Sequence, residues 1–169
     1  INHRGPDSKG SIFLKNFSAK FFRLSILDVT EKGDQPMISK DRRFVILFNG
    51  EIYNYKKLRI SYNLKTFSNS DTEVILLLFE KFGLDMVHKL EGMFSILIYD
   101  QIKNTCYFFR DRFGIKPLYY LILNKKILFS SEIKPLLNYT KKKINKKIAM
   151  DFFFKQSMDH TQDTFFENV

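Results

Sequence analysis

Hydrophobic residues recur along this chain in short bounded runs, not in long stripes. Phe44-Val45-Ile46-Leu47-Phe48 is apolar at every position and reads as a fully buried strand. Residues 93–99 have the same character, and residues 105–110 return as the next strand across a polar turn. Near the N-terminus, weaker patterns over residues 11–17 and 21–27 predict a hairpin turning at Ser18-Ala19-Lys20. Residues 118–123 and 126–129 predict another around Asn124-Lys125. Residues 30–43 are polar, with Gly33 and Pro36, and read as a surface loop.

The helical signals are fewer. Residues 55–61 suit a short helix. Ser70-Asp71-Thr72-Glu73 fits a capping box, with Ser70 as N-cap and Glu73 reaching back to it. The helix that follows runs to Phe82 and closes at Gly83. Its residues 74–79 are apolar nearly all round, so it is expected between layers. Short helices are expected near residues 85–89 and 131–137, and a longer one over 145–155, with no closing element in the tail. Strands in hairpins and helices in pairs make an α+β pattern with mainly antiparallel sheets. The strand–helix alternation of a doubly wound fold is missing.

Composition narrows the function classes. A chain of 169 residues is about one domain, and 44% hydrophobic content supports a packed core. The net charge is +10, from 28 basic and 18 acidic residues. The lysines are scattered, apart from Lys141-Lys142-Lys143 with Lys146-Lys147. No zinc-finger spacing, heptad or aromatic-basic motif accompanies them, so nucleic acid is not an expected partner. Cys106 stands alone and lies in a strand, where a small core residue is expected. His3, His88 and His160 have no metal-ligand spacing. No apolar run reaches the ~18 residues of a membrane span and no signal peptide opens the chain. The expected setting is cytoplasmic, without a membrane. The chain opens on Ile1 and directly on a motif, so a fragment of a longer protein is expected.

Chemistry concentrates where the central strand stops, at Asn49-Gly50-Glu51. An amide side chain and a backbone N–H unshielded by a Cβ are the two donors an oxyanion hole needs. A carboxylate beside them can hold a cation. The same Asn-Gly pair also suits a hairpin turn. Arg23 interrupts an apolar run and requires an anion, either from the protein, such as Asp28, or from a ligand carboxylate. Asp71 falls in the first turn of a helix, where the helix dipole favours an acid. His3 and Arg4 precede the turn Gly5-Pro6-Asp7 and are either solvated or substrate-facing.

Seven segments then fall in one order: residues 3–7, 23–26, 48–55, 70–76, 90–94, 110–119 and 131–134. Together they resemble the glutaminase domain of the glutamine-dependent asparagine synthetases, a class II glutamine amidotransferase family. The resemblance covers residues 1–137 and continues more faintly beyond. It implies an N-terminal-nucleophile hydrolase fold, a four-layer αββα sandwich of two mainly antiparallel sheets. It implies hydrolysis of the glutamine side-chain amide by an N-terminal cysteine, through a thioester. Ammonia then passes to an ATP-using domain that converts aspartate to asparagine. Carried over by position, Asn49 and Gly50 match the oxyanion hole and Arg23 the clamp on the glutamine α-carboxylate. Glu51 and Asp71 match the acids around its α-amino group. The backbone of Leu24, Ser25, Ile26 and Leu27 matches the lining of the same pocket.

The implied organisation is an amidotransferase domain over residues 1–140, with 141–169 ending it and leading to a synthetase domain. The implied partners are L-glutamine and that domain, with a homodimer left open. No cofactor is expected in this domain; ATP and magnesium belong to the synthetase part. Two departures stand out. The cysteine nucleophile is not among these residues, which Cys106 does not remedy, so the fragment alone is expected to be inactive. Phe21-Phe22 replaces a segment that is often basic in the family. An amidotransferase acting on a surface sugar or other carboxylate is the nearest alternative. A non-catalytic basic binding or scaffold domain is the alternative of another class.

Overall fold

The computed structural model describes residues 1–157 and 160–169. They form two compact units, Ile1–Lys116 and Pro117–Val169.

The first unit is built on a four-stranded antiparallel sheet in the order β3-β4-β5-β6. Its strands are β3 (Met37–Ile38), β4 (Phe44–Ile52), β5 (Gly92–Asp100) and β6 (Thr105–Arg110). β4 and β5 are the long central pair, aligned from Phe44 opposite Asp100 to Ile52 opposite Gly92. Alternate residues of β4 face opposite sides. Phe44, Ile46, Phe48 and Ile52 join the main core with Phe94, Ile96 and Ile98 of β5. The helices α1 (Tyr55–Ser61) and α2 (Asp71–Phe82) cover that face with Leu58, Val74, Ile75, Leu78 and Phe79. α2 lies against both β4 and α1, which accounts for its apolar circumference.

A separate hairpin, β1 (Ser8–Phe13) with β2 (Ser18–Arg23), completes this unit. It lies three residues N-terminal to the expected position, and Ser18-Ala19-Lys20 is strand, not turn. The turn is at 14–17, where the Leu14 N–H donates to the Phe17 carbonyl. Side chains explain the shift. Ala19 and Phe17 are buried, and Phe17 stacks on Tyr99 with ring centroids 4.5 Å apart. The bend after Arg23 is fixed from outside, by the Ser25 N–H on the Asp7 carboxylate.

Two local expectations are also corrected. β4 does not stop at Asn49-Gly50 but continues through both to Ile52. A Cβ on Gly50 would sit 2.1 Å from the Met93 carbonyl oxygen, so glycine serves close strand approach here, not a turn. The capping box is rearranged. Ser70 Oγ accepts the Thr72 N–H at 3.2 Å, whereas Glu73 reaches past it to the N–H groups of Phe67 and Ser68. Residues 30–43 include β3 and the buried Gln35, and are not simply surface loop.

The second unit contains the hairpin β7 (Tyr119–Leu123) and β8 (Lys126–Ser130). It turns at Asn124 and Lys125, both at positive φ, as the sequence predicts. Helix α3 (Ile133–Leu136) packs on this hairpin. Helix α4 (Lys146–Lys155) is capped by the Asn145 side chain. The tail does make a closing contact, an antiparallel bridge between Ile144 and Phe166.

Candidate active site

The free edge of β4 organises the candidate site. Backbone groups in an antiparallel strand leave on alternate sides. Phe44 bonds to Ser39 and Phe48 to Gln35, both on the β3 side. Ile52 is in the same phase, and its N–H donates to the Asp71 carboxylate at 3.0 Å. Gly50 shares that phase, so its N–H faces the same edge. Opposite Gly50, Phe94 turns its own N–H and carbonyl the other way, to Asp111. Among the described residues no side chain or loop caps the Gly50 N–H.

Asn49 precedes it and projects its side chain from the sheet face opposite the helices. Its amide nitrogen Nδ2 is buried and makes no hydrogen bond. A buried donor without an acceptor costs about 1–3 kcal/mol. Two unsatisfied N–H donors on consecutive residues can therefore serve one developing negative oxygen.

The charged groups connect to this edge through one chain of contacts. Arg23 ends β2 and is buried. Its guanidinium pairs with the Asp34 carboxylate at 3.0 Å and donates to the carbonyl oxygens of Thr30 and Asp28. The anion it requires is thus Asp34, with Asp28 contributing its main chain. Gly33 lies against the guanidinium so closely that a Cβ there would be 2.2 Å from Nη2. The Asp28 carboxylate accepts from both N–H and hydroxyl of Thr30, and from the Asn69 N–H just ahead of α2. The Thr30 hydroxyl and Asn69 amide lead in holding Asp28 below the usual carboxylate range.

Asp71 follows two residues after Asn69. Burial pushes its carboxyl up to about 6, and nearby Glu51 adds to the rise against the opposing Ile52 N–H. Burial also pushes the Tyr55 phenol up, reinforced by Asp71, Asp28 and Glu51. Asp28, Glu51, Tyr55 and Asp71 are therefore electrostatic neighbours. Leu24 and Ile26 are exposed, Ser25 is half-buried on Asp7, and Leu27 packs on the core.

Cys106 lies in β6 and is half-buried, and burial pushes its thiol up. A nucleophilic cysteine needs the opposite shift.

Sequence reasoning missed two contributors, Gln35 and Asn54. Gln35 fell in a segment read as loop. Asn54 clamps the turn before β5, donating to the Lys89 carbonyl and accepting the Glu91 N–H. A glutamine set just before a proline, beside a buried strand, is the signal that could have pointed to the first.

A family model described as a glutamine amidotransferase domain matches residues 1–169, the whole chain. The chain belongs to this family. A relative from Bacillus subtilis named asparagine synthetase [glutamine-hydrolyzing] 2 is 45% identical over 140 residues, covering 82% of this chain and 19% of the relative. A Gibberella zeae protein named amidase chry2 is 33% identical over 173 residues, covering 100% of this chain and 25% of its own. The chain spans 19% to 32% of the length of the first curated relatives it matches. Among solved structures, glutamine phosphoribosylpyrophosphate amidotransferase from B. subtilis, complexed with ADP and GMP, superposes with a TM-score of 0.56 at 21% identity. The match covers 68% of this chain and 27% of that one. The likeness shows a shared fold, α+β with antiparallel sheets.

Proposed function

We propose that this amidotransferase domain hydrolyses the side-chain amide of glutamine and supplies ammonia for ATP-dependent conversion of aspartate to asparagine. The observation that carries the reading is the Asn49 amide, buried without a partner beside the edge N–H of Gly50. That pair suits the oxygen of an amide carbon becoming tetrahedral. Asp71 and Glu51 suit the ammonium of a free amino acid, and Arg23 its carboxylate once Asp34 yields. The synthetase names of the relatives supply the acceptor.

In this reading the nucleophile is an N-terminal cysteine upstream of Ile1. Residues 1–140 form the glutaminase domain and 141–169 lead to a synthetase domain, where ATP and magnesium act. A cytoplasmic setting is part of this proposal. Separately, no described helix is long and apolar enough to cross a membrane.

The test uses the intact protein. Glutamate release and ATP-dependent asparagine formation are both expected. Asn49→Ala should lower kcat for glutamine hydrolysis about 10²–10³-fold. Ammonia-driven asparagine formation should survive in the variant. An Asn49→Ala protein that hydrolyses glutamine at the normal rate would sink the proposal. A second acceptor is favoured by the match to a protein named as an amidase, which covers 100% of this chain and 25% of that protein. Glutamine hydrolysis without asparagine formation would select it.

A further inference from the structure

Gln35 is buried and its side chain is fully engaged. Its Oε1 accepts the Phe48 N–H at 2.6 Å and its Nε2 donates to the Phe48 carbonyl at 3.0 Å. Nε2 also lies 3.3 Å from Thr72 Oγ1, next to Asp71 on the first turn of α2. The register explains why a side chain is used. β3 pairs with β4 at Met37 opposite Ile46, and Ser39 bonds opposite Phe44. One step further, the main chain of Gln35 would oppose Phe48. At that rung the Gln35 side-chain amide takes the ladder position in place of its main chain. The next step would put Gly33 opposite Gly50, but Gly33 lies under Arg23. The pairing stops one rung short of Gly50. The edge N–H groups are then closed by Gln35 at Phe48, open at Gly50, and closed by Asp71 at Ile52.

We infer that Gln35 is a positioning residue for amide hydrolysis: by replacing a strand at Phe48 and tying it to Thr72, it aims the Gly50 N–H and holds it beside Asp71. Gln35 acts through the backbone and through α2, without contacting the reacting amide. The inference rests on the oxyanion role given above to Asn49 and Gly50. Its consequence is specific. Losing the clamp should weaken stabilisation of the tetrahedral oxygen more than binding of the amino acid, because misplacement of about 1 Å is enough to cost 10²-fold.

The experiment compares Gln35→Leu, Gln35→Glu and Asn49→Ala in the intact protein, with ammonia-driven synthesis as the measure of folded enzyme. For Gln35→Leu, kcat for glutamine hydrolysis should fall about tenfold or more, with KM within about twofold. A glutamine analogue with an aldehyde in place of the amide, which forms a tetrahedral adduct, should lose affinity by the same factor. Glutamate should bind as before. The Asn49→Ala and Gln35→Leu losses should combine to less than their product, because both act on one oxygen. If Gln35→Leu does not fold, Gln35→Glu keeps the size and the acceptor for Phe48 but loses the donor, and the same split is expected. A folded variant with unchanged kcat, or with KM raised alone, overturns the inference while leaving the function intact. An inactive wild-type protein overturns the function and this inference together.

Discussion

Asp71 carries the sharpest pH dependence of any single residue here. Its carboxyl is pushed up to about 6 by burial, against 3.8 for the free group. A shift of that size corresponds to about 3 kcal/mol. The sign is unfavourable to the charged fold. A raised acid contributes stability that is complete below about pH 4 and lost as pH rises through about 6. Asp71→Asn should therefore melt at a higher temperature than wild type at pH 7 and differ little at pH 4. On the function proposed above, binding runs the other way, since the ammonium of glutamine needs the ionised carboxylate. KM for glutamine should rise as pH falls below about 6 in the wild type. In Asp71→Asn it should be high and flat, and steady-state kinetics across pH 5–8 would distinguish the two.

At the scale of elements, Asp111 holds the turn after β6. Burial opposes its charge, but backbone N–H groups of Ile115, Lys116, Phe94 and Phe113 outweigh it and hold the carboxyl below the usual range. Stability from such a group is present above its unfolded pKa and disappears as pH falls through the lower folded value. Asp111→Ala should cost about 3 kcal/mol, from several charge-assisted bonds and the stranded strand amide. Urea denaturation at pH 7 would measure it, and the gap to wild type should close below about pH 4.

How far elements could be read from the sequence follows from whether their determinants are local. Helix α2 and the β7–β8 turn depend on neighbouring residues and were anticipated. The first hairpin was displaced by three residues because Phe17 is fixed by Tyr99, 82 positions away. Asn49-Gly50 looked like a strand end because the local signal for a turn is identical to that for close approach to Met93. The charged set was legible by type, yet not by pairing. Arg23 finds Asp34, and Gln35 was invisible because its partner is a backbone group 13 residues on.

At the scale of the whole molecule, several buried acids share one behaviour. Arg43 leads in lowering Asp100, and the Thr30 hydroxyl leads for Asp28, with Asp111 lowered as described. All three lose their contribution together as pH falls below about 4, while the +10 charge grows. Acid unfolding should be steep there, and added salt should shift it to lower pH. Circular dichroism through an acid titration at two ionic strengths would test this.

The Asn49 nitrogen has a further consequence for durability. Folding strips water from this atom and returns nothing, so the resting domain is less robust than its packing permits. Replacing Asn49 with valine should therefore raise the melting temperature by a few degrees and, on the oxyanion role proposed above, silence turnover. Heat resistance and reactivity compete at a single side chain, and calorimetry can detect that competition with no substrate present.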